Sequence, residues 1–462
     1  MKDFFKHLSV YGILPVVGKF IGFFLIPIYA RIFNAAEFGY LELFVSLVML
    51  LTFAINLEFY TAIGRYFNDY RSKLGQKTLI SSGLFITLLS AFIVVLLYWF
   101  FKPIILNEYV GSLSYSWEFL LAGIWFPISA ISTYLSVIPR YRKRSKKYVI
   151  YTSISIFIRV ISTIFYVLVL KLGLSGVLLG HITGATLSTI LYYYDSREYI
   201  GFSVNIKVLK KILKFSLPII PGLLIIGTWR PIFNYLVKIH LSVEALGTFG
   251  FALRIISILA ILQAAINLTW KPLVFDSFKK KNFIINFKNI SSFISVFLLY
   301  ICLGFSILSN ELIQLLGTDD FLSAASVLGI LSLNWYFNIM SGIRGIAPFL
   351  NENTKITSYV QLIALIFGLV FLLLFGNSLV AISIAFTIFN FVKYILLYIY
   401  SSYILNVSFF SIHESVLLVL NIVFVSLSFY NMTLIIRLGI FCCIAFAFIL
   451  LIINNKKLLL AK

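Results

Sequence analysis

The chain has 462 residues, 61% hydrophobic and 11% charged, with a mean hydropathy of +1.03 and a formal net charge of +21. Soluble domains carry about 25% charged residues, so a soluble globular fold is excluded: too few polar residues remain to cover a surface. Repeated apolar stretches of about 20 residues mark helices crossing a hydrocarbon core, and an outer-membrane barrel would show short alternating segments instead, so the class is an all-α polytopic membrane protein.

The first predicted span, 9–29, is too long for a signal-peptide core and has no small-residue cleavage site. On it, Gly12, Pro15, Lys19 and Gly22 recur at helical spacing and share one face. Span two, 39–62, carries Glu42 near its outer end and Glu58 further along, close to Asn56. Spans three to six follow at 78–101, 117–138, 149–170 and 176–194, and the fifth holds Arg159. The linker NIKVLKKILKFS places Lys207, Lys210, Lys211 and Lys214 on one side and Ile206, Leu209 and Leu213 on the other. That pattern predicts an amphipathic helix in the headgroup layer. Spans seven (215–237) and eight (247–270) hold Arg230 and Arg254, the latter inside the apolar run GFALRIISIL. Six more, 289–312, 324–347, 357–376, 379–400, 414–430 and 434–453, complete fourteen and add Arg344, Lys393 and Arg437.

Lys and Arg collect in short cytoplasmic loops. With the N-terminus inside, 26 of the 37 fall in cytoplasmic segments, four outside and seven within spans. The opposite orientation inverts that split, so both termini are placed in the cytoplasm. The loop charges, PRYRKRSKKY included, face anionic membrane lipids, and no nucleic-acid partner is expected.

Seven cations within spans stand against two carboxylates set in from the span ends, Glu42 and Glu58. An ionisable residue at the bilayer centre costs about 2.5 to 3.5 kcal/mol even on insertion scales. Arg344 and Arg437 lie near span ends, where snorkelling is expected; Lys393 is intermediate. Lys19, Arg159, Arg230 and Arg254 are deep. Each either pairs within the chain, with Glu58, Asn56 or helix C-terminal carbonyls, or lines a wet cavity that takes an anion. Guanidinium binds phosphate oxygens bidentately and lysine binds them as a point charge, so the functional reading is a cationic cavity for a phosphate-bearing cargo. On span eight, Gln263 and Asn267 point roughly opposite Arg254. Glu58, and less readily Glu42, are candidates for exchanging a proton or sodium ion; pairing with the cations is the alternative for both.

Cys302, Cys442 and Cys443 fall in apolar runs and His7, His181, His240 and His413 are scattered, so no metal site or cofactor is expected. No P-loop is present. The longest external segment, 102–116, and the doublet Asp319–Asp320 offer little for acid–base chemistry. No catalytic residue is assigned and the chain is not expected to be an enzyme; a membrane polymerase or transferase of polysaccharide assembly stays as an alternative.

An internal echo links the halves. LPVVGKFIG followed by EFGYLEL is matched by LPIIPGLLIIG followed by EALGTFGFAL, pairing Pro15 with Pro218 and Gly39 with Gly247; transporters are often built from such repeats. The stretch from SLPIIPGLLIIGTWRPIFNYL to TWKPLVFDSFKK resembles spans seven and eight of polysaccharide flippases. These belong to the multidrug/oligosaccharidyl-lipid/polysaccharide exporter superfamily. YGILPVVGKFIGFFLIPIYARIFNAAEFG is similar to that family's first span and following loop.

The resemblance implies a V-shaped, MATE-like fold of two six-helix bundles around a central cavity. Residues 1–200 would form the first lobe, 201–214 the amphipathic linker, 215–405 the second lobe and 406–462 two additional helices. It implies a lipid-linked oligosaccharide as cargo, carried on undecaprenyl diphosphate and flipped outward across the bacterial cytoplasmic membrane by alternating access. It points to O-antigen, capsule or exopolysaccharide assembly, with the polymerase and chain-length proteins of the same pathway as partners. Two cavity cations of the related lipid II flippase fall on Lys19 and Arg254. Leu25 stands where that protein has a further span-one arginine, and Phe233–Asn234 where polysaccharide flippases often have an Asp-Arg pair; Arg230, one turn earlier, is the candidate replacement. A multidrug exporter of the same superfamily is the other alternative, but its cavity should carry acids for cationic drugs. An inside-negative potential helps outward transfer of an anion by about 2.3 kcal/mol per charge per 100 mV. On this reading, Arg254→Ala and Lys19→Ala each abolish polymer export while the protein still reaches the membrane, and Arg254→Lys partly restores it; surface polymer measured beside membrane-fraction blots checks both.

Overall fold

The computed structural model describes residues 25–427, except 71, 143, 202, 218–219, 265, 267–269, 271–273, 275–282, 352, 354 and 408–411. Lys19 with most of span one, Asn267, and span fourteen with Arg437 lie outside the described residues. All regular structure among the described residues is helical, with no strand. Nine helices among them are long and apolar enough to cross a membrane, and they coincide with expected spans two to six and nine to twelve. The chain is a multi-pass membrane protein. Spans seven, eight and thirteen are present as helices outside that set of nine.

The helices are α1 (25–32), α2 (Ala35–Asn56), α3 (Phe59–Phe67), α4 (Lys73–Phe100), α5 (Ser116–Tyr141), α6 (Ser145–Ile164), α7 (Gly173–Ser196), α8 (Ile206–Ser216) and α9 (Ile220–His240). They continue with α10 (Val243–Ile256), α11 (259–264), α12 (Phe283–Ile307), α13 (Ser309–Leu316), α14 (Ala325–Arg344), α15 (Lys355–Phe375), α16 (Leu379–Leu405) and α17 (Ile412–Leu427). Short polar residues set several starts. Ser72, Asn205, Ser242 and Ser378 accept from backbone N–H groups at the heads of α4, α8, α10 and α16, at 2.8–3.2 Å. Such a cap satisfies a donor that the first turn leaves unpaired. Ser378 is the stop-and-start signal inside FGNSL. Asn406 closes α16 in the left-handed conformation, a common helix terminator.

Two compact units result: Met1–Leu25 with Ala36–Lys238, and Ile26–Ala35 with Ile239–Lys462. Helix α9, the expected seventh span, thus belongs with the first unit. In that unit α7 packs against both α5 and α6, and α4 against α5. Its core gathers Phe59, Ile63, Leu79, Tyr134, Ile138 and Ile212. The amphipathic linker forms as α8, and its buried face matches the expected one only in part, with Leu213 packed against the core. Val208 and Ile212 point into the core shared with α3 and α4, whereas Ile206 is exposed. Helix α8 is therefore seated on protein along its apolar side.

The basic loop after α5 is partly occupied within the protein. Arg142, Arg144 and Lys147 converge on the buried carboxylate of Asp195 at the end of α7, at 3.9 Å for Arg142 and 3.4 Å for Arg144. These charges hold the ends of α5, α6 and α7 together.

In the second unit α14 packs against α16, with α15, α12 and α17 around them. A ladder of polar contacts runs along the α14–α16 seam. The Thr387 hydroxyl donates to the Ile330 carbonyl (3.2 Å), Asn390 to Asn334 (2.8 Å) and Lys393 to Asn338 (2.7 Å). The ladder ends at Arg344, which does not snorkel. Its guanidinium is fully buried and donates to Glu414 Oε1 (2.7 Å) and to the Tyr394 hydroxyl (3.1 Å). The reason is that Glu414, not counted among the span carboxylates, enters the interior at the head of α17 and holds the charge there. Removing one partner of a buried pair leaves an uncompensated charge, at about 3–5 kcal/mol, whereas replacing both by apolar residues is often near neutral. Glu414→Ala is therefore expected to lower the thermal midpoint of the purified protein sharply, and Arg344→Met with Glu414→Leu to recover most of the loss.

Candidate functional site in the first unit

Helix α7 carries GVLLGHITG, which sets Gly176, Gly180 and Gly184 four residues apart on one face. Small residues at that spacing let two membrane helices approach closely. A Cβ at Gly184 would stand 2.6 Å from Arg159 Cβ and 3.1 Å from the Ser155 carbonyl; one at Gly176 would meet Val167 at 3.0 Å, and one at Gly180 would collide with Thr163. The stripe thus draws α6 against α7 and fixes the depth and direction of Arg159. Across α5, the Ser132 and Ser188 hydroxyls bond to each other and Thr189 donates to the Ile128 carbonyl at 3.3 Å.

Where α5, α6 and α7 diverge, a cavity of about 320 Å³ opens, and Arg159 lines it. Its wall is rich in hydroxyls: Ser129, Ser132, Thr133 and Ser136 from α5, Thr152 and Ser155 from α6, and Ser188 from α7. Trp125 and His181 form an aromatic wall, their rings 4.3 Å apart. From Tyr148 in the first turn of α6 to Arg159, the lining climbs about 16 Å at the helical rise per residue. Several hydroxyl protons are already committed to the backbone. Thr133, Ser136, Thr152, Ser155 and Ser188 donate to carbonyls of their own helices at 2.7–2.8 Å. A hydroxyl has one donor and two acceptor lone pairs, so this lining presents mainly acceptors.

A second cavity of about 320 Å³ shares Trp125, Ser129 and Thr133 with the first and is completed by Thr52, Asn56, Glu58 and Tyr60. Here α2 gives way to α3. Leu57 and Glu58 take φ values of 37° and 59°, a left-handed pair that costs non-glycine residues of order 1–3 kcal/mol each. Helix α2 alone spans about 33 Å by its 22 residues, so Glu58 stands at its far end rather than at mid-depth. Its carboxylate accepts from the Tyr60 hydroxyl (2.7 Å) and from Thr61.

The other sequence-derived residues fall elsewhere. Arg230 on α9 donates to Glu42 on α2 at 2.9 Å and to Asn234 at 3.1 Å, while Asn234 donates to the Glu42 carbonyl at 3.3 Å. Nearby, Tyr109 stacks on Tyr235 and shares a 3.0 Å hydrogen bond with Ser46, and Lys238 donates to the carbonyls of Glu108 (2.7 Å) and Tyr109 (3.0 Å). These contacts fasten α9 to α2. Arg254, in the second unit, lies 5.5 Å from the Tyr29 ring centre, a cation–π arrangement. It stands just before α10 is interrupted at residues 257–258. Arg159 and Glu58 therefore line adjoining cavities, Arg230 and Glu42 form an ion pair, and Lys19 is outside the described residues. The hydroxyl wall and the glycine stripe are not among the residues expected from sequence. Their signal was available: Ser129, Ser132, Thr133 and Ser136 recur at one-face helical spacing, as do the three glycines.

The family profile described as "Polysaccharide biosynthesis protein" matches residues 28–326. The chain belongs to the polysaccharide biosynthesis protein family. The match takes in the whole of α2 to α13, and so both cavities of this polysaccharide biosynthesis protein. No sequence among the curated proteins matches it. Among solved structures, the fold is similar to the lipid II flippase MurJ in an inward closed conformation, with a TM-score of 0.70, 14% identity, and 98% of this chain and 100% of that chain covered. It is also similar to an inward-facing multidrug resistance MATE family transporter of the MOP superfamily, at 0.63 and 13%, covering 86% and 94%. The MATE transporter VcmN of Vibrio cholerae, in a mutant form, gives 0.53 and 12%, covering 88% and 98%. The expected MATE-like, all-helical membrane fold is the fold found.

If the glycine stripe sets the site, Gly180→Leu should separate α6 from α7. Overpacking of this kind costs about 1–3 kcal/mol; a lowered thermal midpoint together with reduced export of polymer is the expected result, with Ser132→Ala as a milder comparison.

Proposed function

We propose that this polysaccharide biosynthesis protein is a flippase. Its cargo is undecaprenyl-diphosphate-linked oligosaccharide, moved outward across the bacterial cytoplasmic membrane by alternating access and without covalent chemistry. The observation that carries the proposal is Arg159 in the wall of a polar cavity, about 16 Å along its helix from the first turn. A diphosphate in hydrocarbon would be stranded without partners. A guanidinium held by packed helices supplies a charged, forked donor for phosphate oxygens. The neighbouring fold whose name is "Lipid II flippase MurJ" supports the same direction of thought.

Lys19 and Arg254 are proposed as further phosphate cations, and Arg254 keeps its guanidinium on the Tyr29 ring in the structure described here. Arg230 serves the same cargo with part of its charge offset by Glu42. Glu58, held by hydroxyl donors beside the second cavity, is the proposed site of ion exchange. The membrane potential adds to the outward bias because the cargo is an anion.

Purified protein in liposomes carrying an undecaprenyl-diphosphate oligosaccharide tests this. Flipping to the outer leaflet, read by lectin or enzyme access, should depend on the protein and fall at least about tenfold in Arg159→Gln, the loss of one charge-assisted contact. Absence of flipping by the wild type, or undiminished flipping by Arg159→Gln, would overturn the reading.

A further inference from the structure

We infer that the hydroxyl-walled cavity between α5, α6 and α7 is a sugar subsite that seats one pyranose ring of the transported glycan; this rests on the flippase reading and adds to it a place and a chemistry for the sugar. At about 320 Å³ the cavity lies at the small end of ligand pockets, which run from about 300 to 1,000 Å³. The character of its wall decides the occupant. Thr133, Ser136 and Ser155 have their protons on backbone carbonyls, so their lone pairs are what they offer a ligand. An acceptor-rich wall calls for a ligand with many donors.

Three classes of ligand compete: a cation, an apolar compound and a polyhydroxylated ring. A metal cation or a cationic drug would meet acceptor oxygens, but no carboxylate is among the lining residues and Arg159 is a fixed positive charge in the same wall. Like charges in a low-dielectric site repel strongly. An apolar compound would leave the hydroxyl wall desolvated and unmatched. A polyhydroxylated ring fits both halves of the wall. Its O–H groups donate to the serine and threonine oxygens, its own oxygens accept from Arg159, a donor-only side chain, and its C–H face lies against Trp125 and His181. The subsite would thus discriminate among sugars by which hydroxyls point toward α5 and which toward α6.

Saturation-transfer NMR of the full-length protein in lipid nanodiscs tests this. The probes are lactose, an N-acetylglucosamine disaccharide, a methyl rhamnoside and a glucuronic-acid disaccharide, with ethidium as a cationic comparison. At least one sugar should show transfer to its ring protons. The apparent affinity should weaken roughly fivefold in Thr133→Val, which keeps the shape and removes one acceptor, and should be lost in Trp125→Leu. No signal from any sugar would overturn the subsite. So would signals unchanged in both variants, or displacement of the sugar by ethidium. The liposome assay run in parallel separates the two ideas. Wild-type flipping without sugar binding sinks the subsite and leaves the flippase standing. Sugar binding that responds to both variants, without flipping, sinks the flippase and leaves a glycan site.

Discussion

Hydrocarbon supplies no hydrogen bonds, and that constraint organises the protein. Every polar side chain carried into the bilayer must find its partner inside the chain or in a hollow that holds water or ligand. The structure sorts its intramembrane charges by this demand. Arg344 is matched inside a helix bundle by Glu414 and Tyr394. Lys393 is held by Asn338. Arg230 is matched by Glu42 and Asn234 across two helices. Arg159 also lines a hollow whose other walls are hydroxyls and aromatic rings. The same chemical requirement therefore accounts both for the fasteners between helices and for the polar lining of a hollow.

The fasteners also explain how the chain is divided. The sequence places the seventh span after the amphipathic linker and so with the later half. In the molecule, α9 is bound to α2 through the Glu42 ion pair and to the segment after α4 through Lys238 and the Tyr109–Tyr235 stack. Side-chain chemistry near one end of the helix, rather than position along the chain, groups it with the first unit. Unit two has its own counterpart, the α14–α16 ladder, in which hydrogen bonds recur along the seam and keep two apolar helices in register.

Much of the fold was legible because membrane helices announce themselves by length and apolarity, and nine of the expected spans reappear as such helices. The breaks were not legible. Leu57–Glu58 and residues 257–258 interrupt runs that are apolar on both sides, and nothing in their composition marks a stop. Partnering was the other blind spot. Arg344 lies near a span end and reads as a side chain reaching for water, because its partner Glu414 is 70 residues away in sequence. Likewise the apolar side of α8 reads as lipid-facing until Leu213 is seen against the core, beside the buried Val208 and Ile212. In the sequence, depth alone marks Arg159. Its hydroxyl surroundings were written at helical spacing on three separate segments, and their convergence depends on tertiary packing.

The glycines of α7 have a consequence beyond fixing one arginine. Because the closest approach of α6 and α7 is made by backbone and by atoms next to it, the distance between those helices does not depend on the longer side chains beside the hollow. Those side chains are released from architectural duty. Substitution at hollow positions that bond only within their own helix, such as Thr133 and Ser136, would alter the chemistry of the wall while leaving the spacing of α6 and α7 undisturbed, so one scaffold of this kind can diverge in taste without having to refold.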